Sequence, residues 1–346
     1  MLHFDCDYME GAHPLILERL LQTNLEQTPG YGCDIYTQRA KEKIRQACNC
    51  PEAAVHFLVG GTQTNATVID GLLRTYEGVL AAETGHINVH ESGAIEASGH
   101  KVLTLPQTDG KVQAEDVDRY ITSFYQDATY EHMVAPGMLY ISFPTEYGTL
   151  YSRKELEALS ETCHRHHIPL FIDGARIGYG LTATPADVTL EDIARWSDVF
   201  YIGGTKVGAL FGEAVVVTNP RLLTHFFPII KQHGALLAKG RLLGIQFDTL
   251  FTDDLYFKIA RNAIDKAFQI RDIFVSNGYP LLFDSPTNQQ YPIIPDDELA
   301  ILGKEFGYEY WTRVDATHSG VRFCGSWATT QENVDALRAA VNALKK

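Results

Sequence analysis

The chain has 346 residues, 45% of them hydrophobic and 21% charged, which is ordinary globular material with room for more than one core. Its formal net charge of −14 opposes phosphate backbones and anionic lipid, since both need a basic surface. Nucleic acid and membrane are therefore excluded as expected partners.

The opening stretch MLHFDCDYMEGAHP contains acids and no long apolar run. No segment approaches the roughly 20 apolar residues that span a bilayer. The expectation is a cytoplasmic protein in which Cys6, Cys33, Cys48, Cys50, Cys163 and Cys324 are reduced thiols.

In chain order, short apolar runs alternate with helical patterns from about residue 54 to 218: AVHFLV (54–59), GVLAAE (78–83), MLYISF (138–143), PLFI (169–172), DVFYIG (198–203) and AVVVT (214–218). Such alternation predicts an α/β fold with a mostly parallel sheet covered by helices. Ser152 to Glu155 is a capping box that starts a helix with Leu156, Leu159 and Cys163 on one face. Thr189 to Asp192 resembles a second one. The run Cys163-His164-Arg165-His166-His167 closes the first of these helices, where imidazoles suit the negative end of the dipole, and no metal site is expected. Beyond residue 219 the pattern predicts long helices over 235–252 and 255–277. A smaller mixed region follows, with strands in YPII (291–294), YEYWTRV (308–314) and GVRFCGS (320–326) and a closing helix from about Thr330.

In open α/β sheets, ligands bind beyond the carboxyl ends of the strands, and four polar stretches follow apolar runs. Gly60-Gly61-Thr62-Gln63-Thr64-Asn65 has the glycines and helix start of an anion cradle, or a turn that is glycine-rich for steric reasons only. Asp173 ends PLFID; a carboxylate there needs a partner, be it a ligand, Arg176 or the next helix. Lys206, in GGTKVG, is either a buried nucleophilic amine or a solvated charge. His86, in GHINVHESGAIE, either lies flat on an aromatic ligand or is a core histidine.

The four together fit pyridoxal 5′-phosphate (PLP), which needs an anion site, a carboxylate opposite its ring nitrogen, a lysine for its aldehyde and a flat group over its ring. Their order resembles the low-specificity L-threonine aldolase family of the aspartate-aminotransferase-like, fold type I PLP enzymes. The resemblance runs through YGCDIYT (31–37), GGTQTNA (60–66), GHINVHESGAIE (85–96), TEYGTLYS (145–152), DGARIG (173–178), GGTKVG (203–208) and VRFCGSWATT (321–330). It implies a large PLP-binding α/β domain with a seven-stranded sheet over residues 31–250. A small C-terminal α+β domain would cover 251–346, with residues 1–30 associated with it.

The resemblance further implies that Lys206 carries PLP as a Schiff base, His86 stacks on its ring and Asp173 pairs with the ring nitrogen. Gly61, Thr62, Gln63 and Thr205 would hold the phosphate. Arg322 would be the fork for the substrate carboxylate, with Arg176 assisting. Where some relatives have a serine near the N-terminus, this chain has Cys6, a weaker hydrogen-bonding group. Where many have Thr-His, it has Thr145-Glu146, so Glu146 or His86 is expected to handle the proton of the substrate β-hydroxyl. Dimers or tetramers with shared active sites are implied, with Tyr31, Lys239 and Arg241 as positions that reach a neighbour; the strip KQHGALLAKGR also reads as a solvated helix face.

The implied reaction is retro-aldol cleavage of L-threonine, L-allo-threonine or a related β-hydroxy amino acid to glycine and an aldehyde. A β-eliminating lyase or an aminotransferase could use the same residues, and a non-catalytic PLP-fold binding protein is the alternative from another class. A nicotinamide dehydrogenase is disfavoured by the missing G-x-G-x-x-G turn.

Overall fold

The computed structural model describes residues 1–184 and 186–345. Seven strands form the central sheet: β1 (Ala54–Leu58), β2 (Glu77–Ala82), β3 (Val102–Leu105), β4 (Ala135–Ser142), β5 (Leu170–Asp173), β6 (Val199–Gly203) and β7 (Glu213–Val217). Their spatial order is β1-β7-β6-β5-β4-β2-β3. The pairs β6·β7 and β1·β7 are antiparallel and the rest parallel. The sheet is thus mixed, parallel in its larger part.

These runs become strands because both faces are covered, which favours continuous apolar segments over alternating ones. Leu80, Leu139, Ile141, Ile172, Phe200, Ile202 and Val216 point to one face. Val79, Met138, Tyr140, Phe171, Val199, Tyr201 and Val215 point to the other. All are buried, and each large aliphatic side chain taken from water contributes about 1.5–3 kcal/mol.

On the first face lie α1 (Pro14–Gln22), α2 (Ile35–Ala47), α4 (Arg153–Arg165), α5 (Arg241–Leu250) and α6 (Leu255–Ser276); α3 (Gly61–Leu72) lies on the second. The Ser152 capping box opens α4, and the Thr189–Asp192 box opens the short helix Leu190–Trp196. In the Cys163–His167 run, Cys163 is buried and His166 Nε2 lies 2.7 Å from Asp118. The helix predicted over 235–252 begins only at Arg241. Gly234, at φ +65°, and the turn that follows break the pattern before it.

The C-terminal region has its own core. Strands β8 (Gln289–Gln290), β9 (Ile293–Pro295), β10 (Glu309–Arg313) and β11 (His318–Cys324) pair antiparallel around β11. Ile270, Ile273 and Phe274 of α6 pack there against Phe323 and against Leu337 and Val341 of α7 (Gln331–Leu344). Phe4 joins this core, Leu2–His3 pairs with Phe306–Gly307, and Cys324 N–H donates to Phe4 O at 2.7 Å. By contrast, α1 packs on α5.

Candidate active site

The carboxyl ends of β1, β2, β4, β5 and β6 open onto one cavity of about 280 Å³. Its wall includes Gly61, Thr62, His86, Glu146, Asp173, Arg176, Thr205 and Lys206. Two glycines allow the loops after β5 and β6 to approach closely. A Cβ on Gly174 would lie 1.8 Å from Tyr201 O and one on Gly203 2.3 Å from Ala175 O, while Gly203 N–H donates to Gly174 O at 2.9 Å.

Asp173 is 5% exposed and takes four donors. Its Oδ1 accepts from Ala175 N–H (2.9 Å) and the Tyr201 hydroxyl (2.5 Å), its Oδ2 from the Tyr140 hydroxyl (2.6 Å) and Asn65 Nδ2 (3.0 Å). Burial favours the neutral acid, but His86 and these hydrogen bonds outweigh it and hold the carboxyl below its ordinary pKa. It stands as a fixed negative charge in the cavity wall.

Lys206 is the converse case. Burial, aided by the nearby Arg176, lowers its pKa against the pull of Asp7, Asp173 and Glu213, which makes its amine a better nucleophile. Its Nζ lies 5.8 Å from the centre of the Tyr8 ring.

His86 has a defined orientation. Its Nδ1 is 2.7 Å from Glu91 Oε1, and since a carboxylate oxygen accepts, Nδ1 carries a hydrogen. Asn65 Nδ2 donates to both Glu91 Oε1 (2.7 Å) and Asp173 Oδ2 (3.0 Å). The histidine and the Asp173 carboxylate therefore share one buried network. Glu146 Oε1 accepts from His86 N–H (2.9 Å) and the Ser142 hydroxyl (2.7 Å), and burial raises its pKa.

Other predicted positions are engaged differently. Arg176 lines the cavity, yet its Nε and Nη2 donate to the two oxygens of the fully buried Asp7 at 2.7 and 3.0 Å. Burial would raise the Asp7 acid, but Arg176 and Lys206 hold it well below the usual carboxylate range. The Thr205 hydroxyl oxygen lies 2.8 Å from Glu213 Oε1 and accepts from Gly212 N–H at 3.0 Å. Gln63 is turned from the cavity, its Oε1 accepting from Val59 N–H at 3.2 Å.

Arg322 lies outside the cavity wall, on β11. It donates to Gln289 Oε1 (2.8 Å) and Asp5 O (3.2 Å) and pairs with Glu309, while its Nε is buried without a partner. Cys6 is also absent from the wall. Tyr31 occupies a different cleft with Phe227 and Leu236, and Lys231 Nζ stands 4.8 Å from its ring centre. Arg241 bonds to Thr23 O and Glu26 O of its own chain.

Asp7, Tyr8, Asn65, Glu91, Tyr140, Tyr201 and Glu213 complete the site and are not among the predicted positions. For Glu213 the signal was available: an acid opening the apolar run AVVV raises the same cost of burial as Asp173.

The donors left free fit a phosphate-bearing, pyridine-based group. Gly60 caps α3 without a side chain, so the first-turn N–H groups at Gly61 and Thr62 have no partner within the helix. Thr64 Oγ1, in the same turn, is buried and unpaired. A carboxylate, a lysine amine and an imidazole face the same space.

The beta-eliminating lyase family model matches residues 9–324. A low specificity L-threonine aldolase of Pseudomonas sp. (strain NCIMB 10558) is 30% identical over 99% of this chain and 97% of its own. A Leishmania major threonine aldolase structure is 39% identical, covers all of both chains and superposes with a TM-score of 0.96. An aspartate aminotransferase of Thermus thermophilus, 16% identical with a TM-score of 0.71 over 100% of this chain and 91% of its own, shares the fold.

Proposed function

The chain belongs to the beta-eliminating lyase family, and from that premise we propose that it is a PLP-dependent aldolase. It cleaves L-threonine, L-allo-threonine or a related β-hydroxy amino acid to glycine and an aldehyde, with Lys206 as the amine that holds the cofactor. The observation that carries this reading is the meeting of Lys206, Asp173 and His86 in one cavity at the strand ends.

When bound, PLP supplies an aldehyde for amines and a ring that takes up the electron pair of a breaking Cα–Cβ bond. The protein's part is placement and proton handling. Asp173, kept ionised, would accept a ring N–H. The free N–H groups of α3 at Gly61 and Thr62 would receive the phosphate. His86 would face the ring and, as a neutral imidazole with its hydrogen on Nδ1, would offer Nε2 to the β-hydroxyl proton. Glu146, which accepts from the His86 backbone N–H, is the second group for that proton. Arg322, with an unpaired buried Nε, takes the substrate carboxylate in place of Glu309, because its planar donors match a carboxylate two to two.

The proposal includes a second copy of the chain. Leu21 and Leu25 are 78% and 91% exposed, and Leu17, Ile35 and Phe227 are also exposed; burial of such side chains drives association. Tyr31, outside its own chain's cavity, then serves the neighbour's. The division near residues 30 and 250 and a cytoplasmic setting belong to the same reading; six free cysteines support the latter. Among the described residues no helix is long and apolar enough to cross a membrane.

The test is direct. The purified protein is expected to show the yellow absorbance of lysine-bound PLP and to release acetaldehyde from L-threonine, and Lys206→Ala to lose both. Pyruvate and ammonia as products would replace cleavage by elimination, and no absorbance band with added PLP would remove the reading.

A further inference from the structure

We propose that Glu213 is the neutral acid of the phosphate cradle, donating a hydrogen bond to Thr205 so that the Thr205 hydroxyl can donate to the bound phosphate. This inference rests on the PLP reading above. Its grounds are geometric. Glu213 opens β7 opposite Leu58 of β1 and Gly203 of β6. It therefore stands where the chain leaves β1 for the Gly61 turn and β6 for Lys206. Its side chain lines the cavity with Gly61, Thr62, Thr205 and Lys206, and the residue is 3% exposed.

The hydrogen-bond count at Thr205 then decides what an anion meets. Thr205 Oγ1 accepts from Gly212 N–H at 3.0 Å and lies 2.8 Å from Glu213 Oε1, while Gly204 N–H donates to Glu213 Oε2 at 3.1 Å. A hydroxyl has one hydrogen to give. With Glu213 ionised, that hydrogen is spent on the carboxylate, and an incoming phosphate faces a second negative charge. With a proton on Oε1 the same contact reverses: Glu213 donates to Thr205 Oγ1, whose own hydrogen is released toward the phosphate.

Burial favours the neutral form. It pushes the Glu213 carboxyl up to about 8 against the hydrogen bonds from Thr205 and Gly204 and the charge of Lys206, and Asp173 adds to the rise. Tyr201 and Tyr256, from β6 and α6, also feel its charge, and burial raises both well above the usual phenol range. A bound phosphate is a further like charge, so by linkage it holds the proton more firmly still.

The experiment is equilibrium dialysis of PLP and of pyridoxal, which lacks the phosphate, against the apoprotein from pH 6.5 to 9.5. Pyridoxal cancels whatever Lys206 and the ring contribute. The ratio of PLP to pyridoxal affinity is expected to fall above about pH 8, by up to about tenfold per pH unit as the acid ionises. In Glu213→Gln, whose amide donates at every pH, the ratio is expected to stay flat. A flat ratio in the unsubstituted protein, which needs no variant to fold, overturns the proposal, and so does the same slope in Glu213→Gln. PLP that fails to bind at any pH overturns the functional reading and this inference with it.

Discussion

Glu91 reaches the cavity chiefly through His86. Its side chain is fully buried, with Oε1 shared between His86 Nδ1 and Asn65 Nδ2 and Oε2 without a partner. A carboxylate in that place fixes the imidazole tautomer and stabilises the imidazolium, as in hydrolytic triads. Glu91→Gln is expected to lower kcat on the order of tenfold or more, with little change in PLP affinity. An unchanged kcat would reduce Glu91 to a packing role. Single residues were legible in the sequence where an apolar run ends in a polar group, as at Asp173 and Lys206. Asp7 was not, because its partner Arg176 is 169 residues away and no local pattern announces such a pairing.

Three helices are tied at one carboxylate. Asp248 of α5, whose side chain is 2% exposed, meets Arg19 of α1 at 2.6 Å and Arg39 and Lys43 of α2 at 2.9 and 2.5 Å. Burial opposes its ionisation, but hydrogen bonds from Lys43 and Arg19 hold its pKa below the ordinary value. A depressed folded-state pKa gives stability that is present above the unfolded value of about 3.9 and lost as pH falls through the folded one. Asp248→Asn is therefore expected to cost about 2 kcal/mol at pH 7. That is less than for a fully buried pair, since all three cations reach water. The loss should shrink as pH falls below the unfolded value; urea midpoints measured from pH 7 downward would follow it. Elements were readable where local chemistry is strong, as at the two capping boxes and the apolar strands. The missed strand of the central sheet, Val102–Leu105, is a four-residue edge strand, and the misjudged start of α5 reflects helical residues in Ala235–Lys239 that a turn overrides.

At the scale of the molecule, a charge of −14 keeps copies apart unless apolar area draws them together. Substituting Leu21 and Leu25 together with lysine is expected to shift sedimentation toward single chains and, if Tyr31 serves a neighbouring site as proposed, to lower activity; unchanged sedimentation would exclude this surface. The α/β class and the mostly parallel sheet followed from periodicity. The antiparallel β7 did not, because a fully buried strand reads the same in either direction.

Residues 4–7 stitch the cavity to the C-terminal strands: Phe4 O takes the Cys324 amide, Asp5 O takes Arg322, and Asp7 takes Arg176 and Asn288. Asp5 and Arg322 are 317 residues apart. During synthesis at roughly 5–20 residues per second, that interval is on the order of tens of seconds. Over the last part of it, once Lys206 has been made, the Lys206 turn can fold while the clasp to the C-terminal strands is still missing. A chain stopped before Arg322 is therefore expected to leave Asp5 O and the Phe4 carbonyl without the partners that tie residues 4–7 to the last strand.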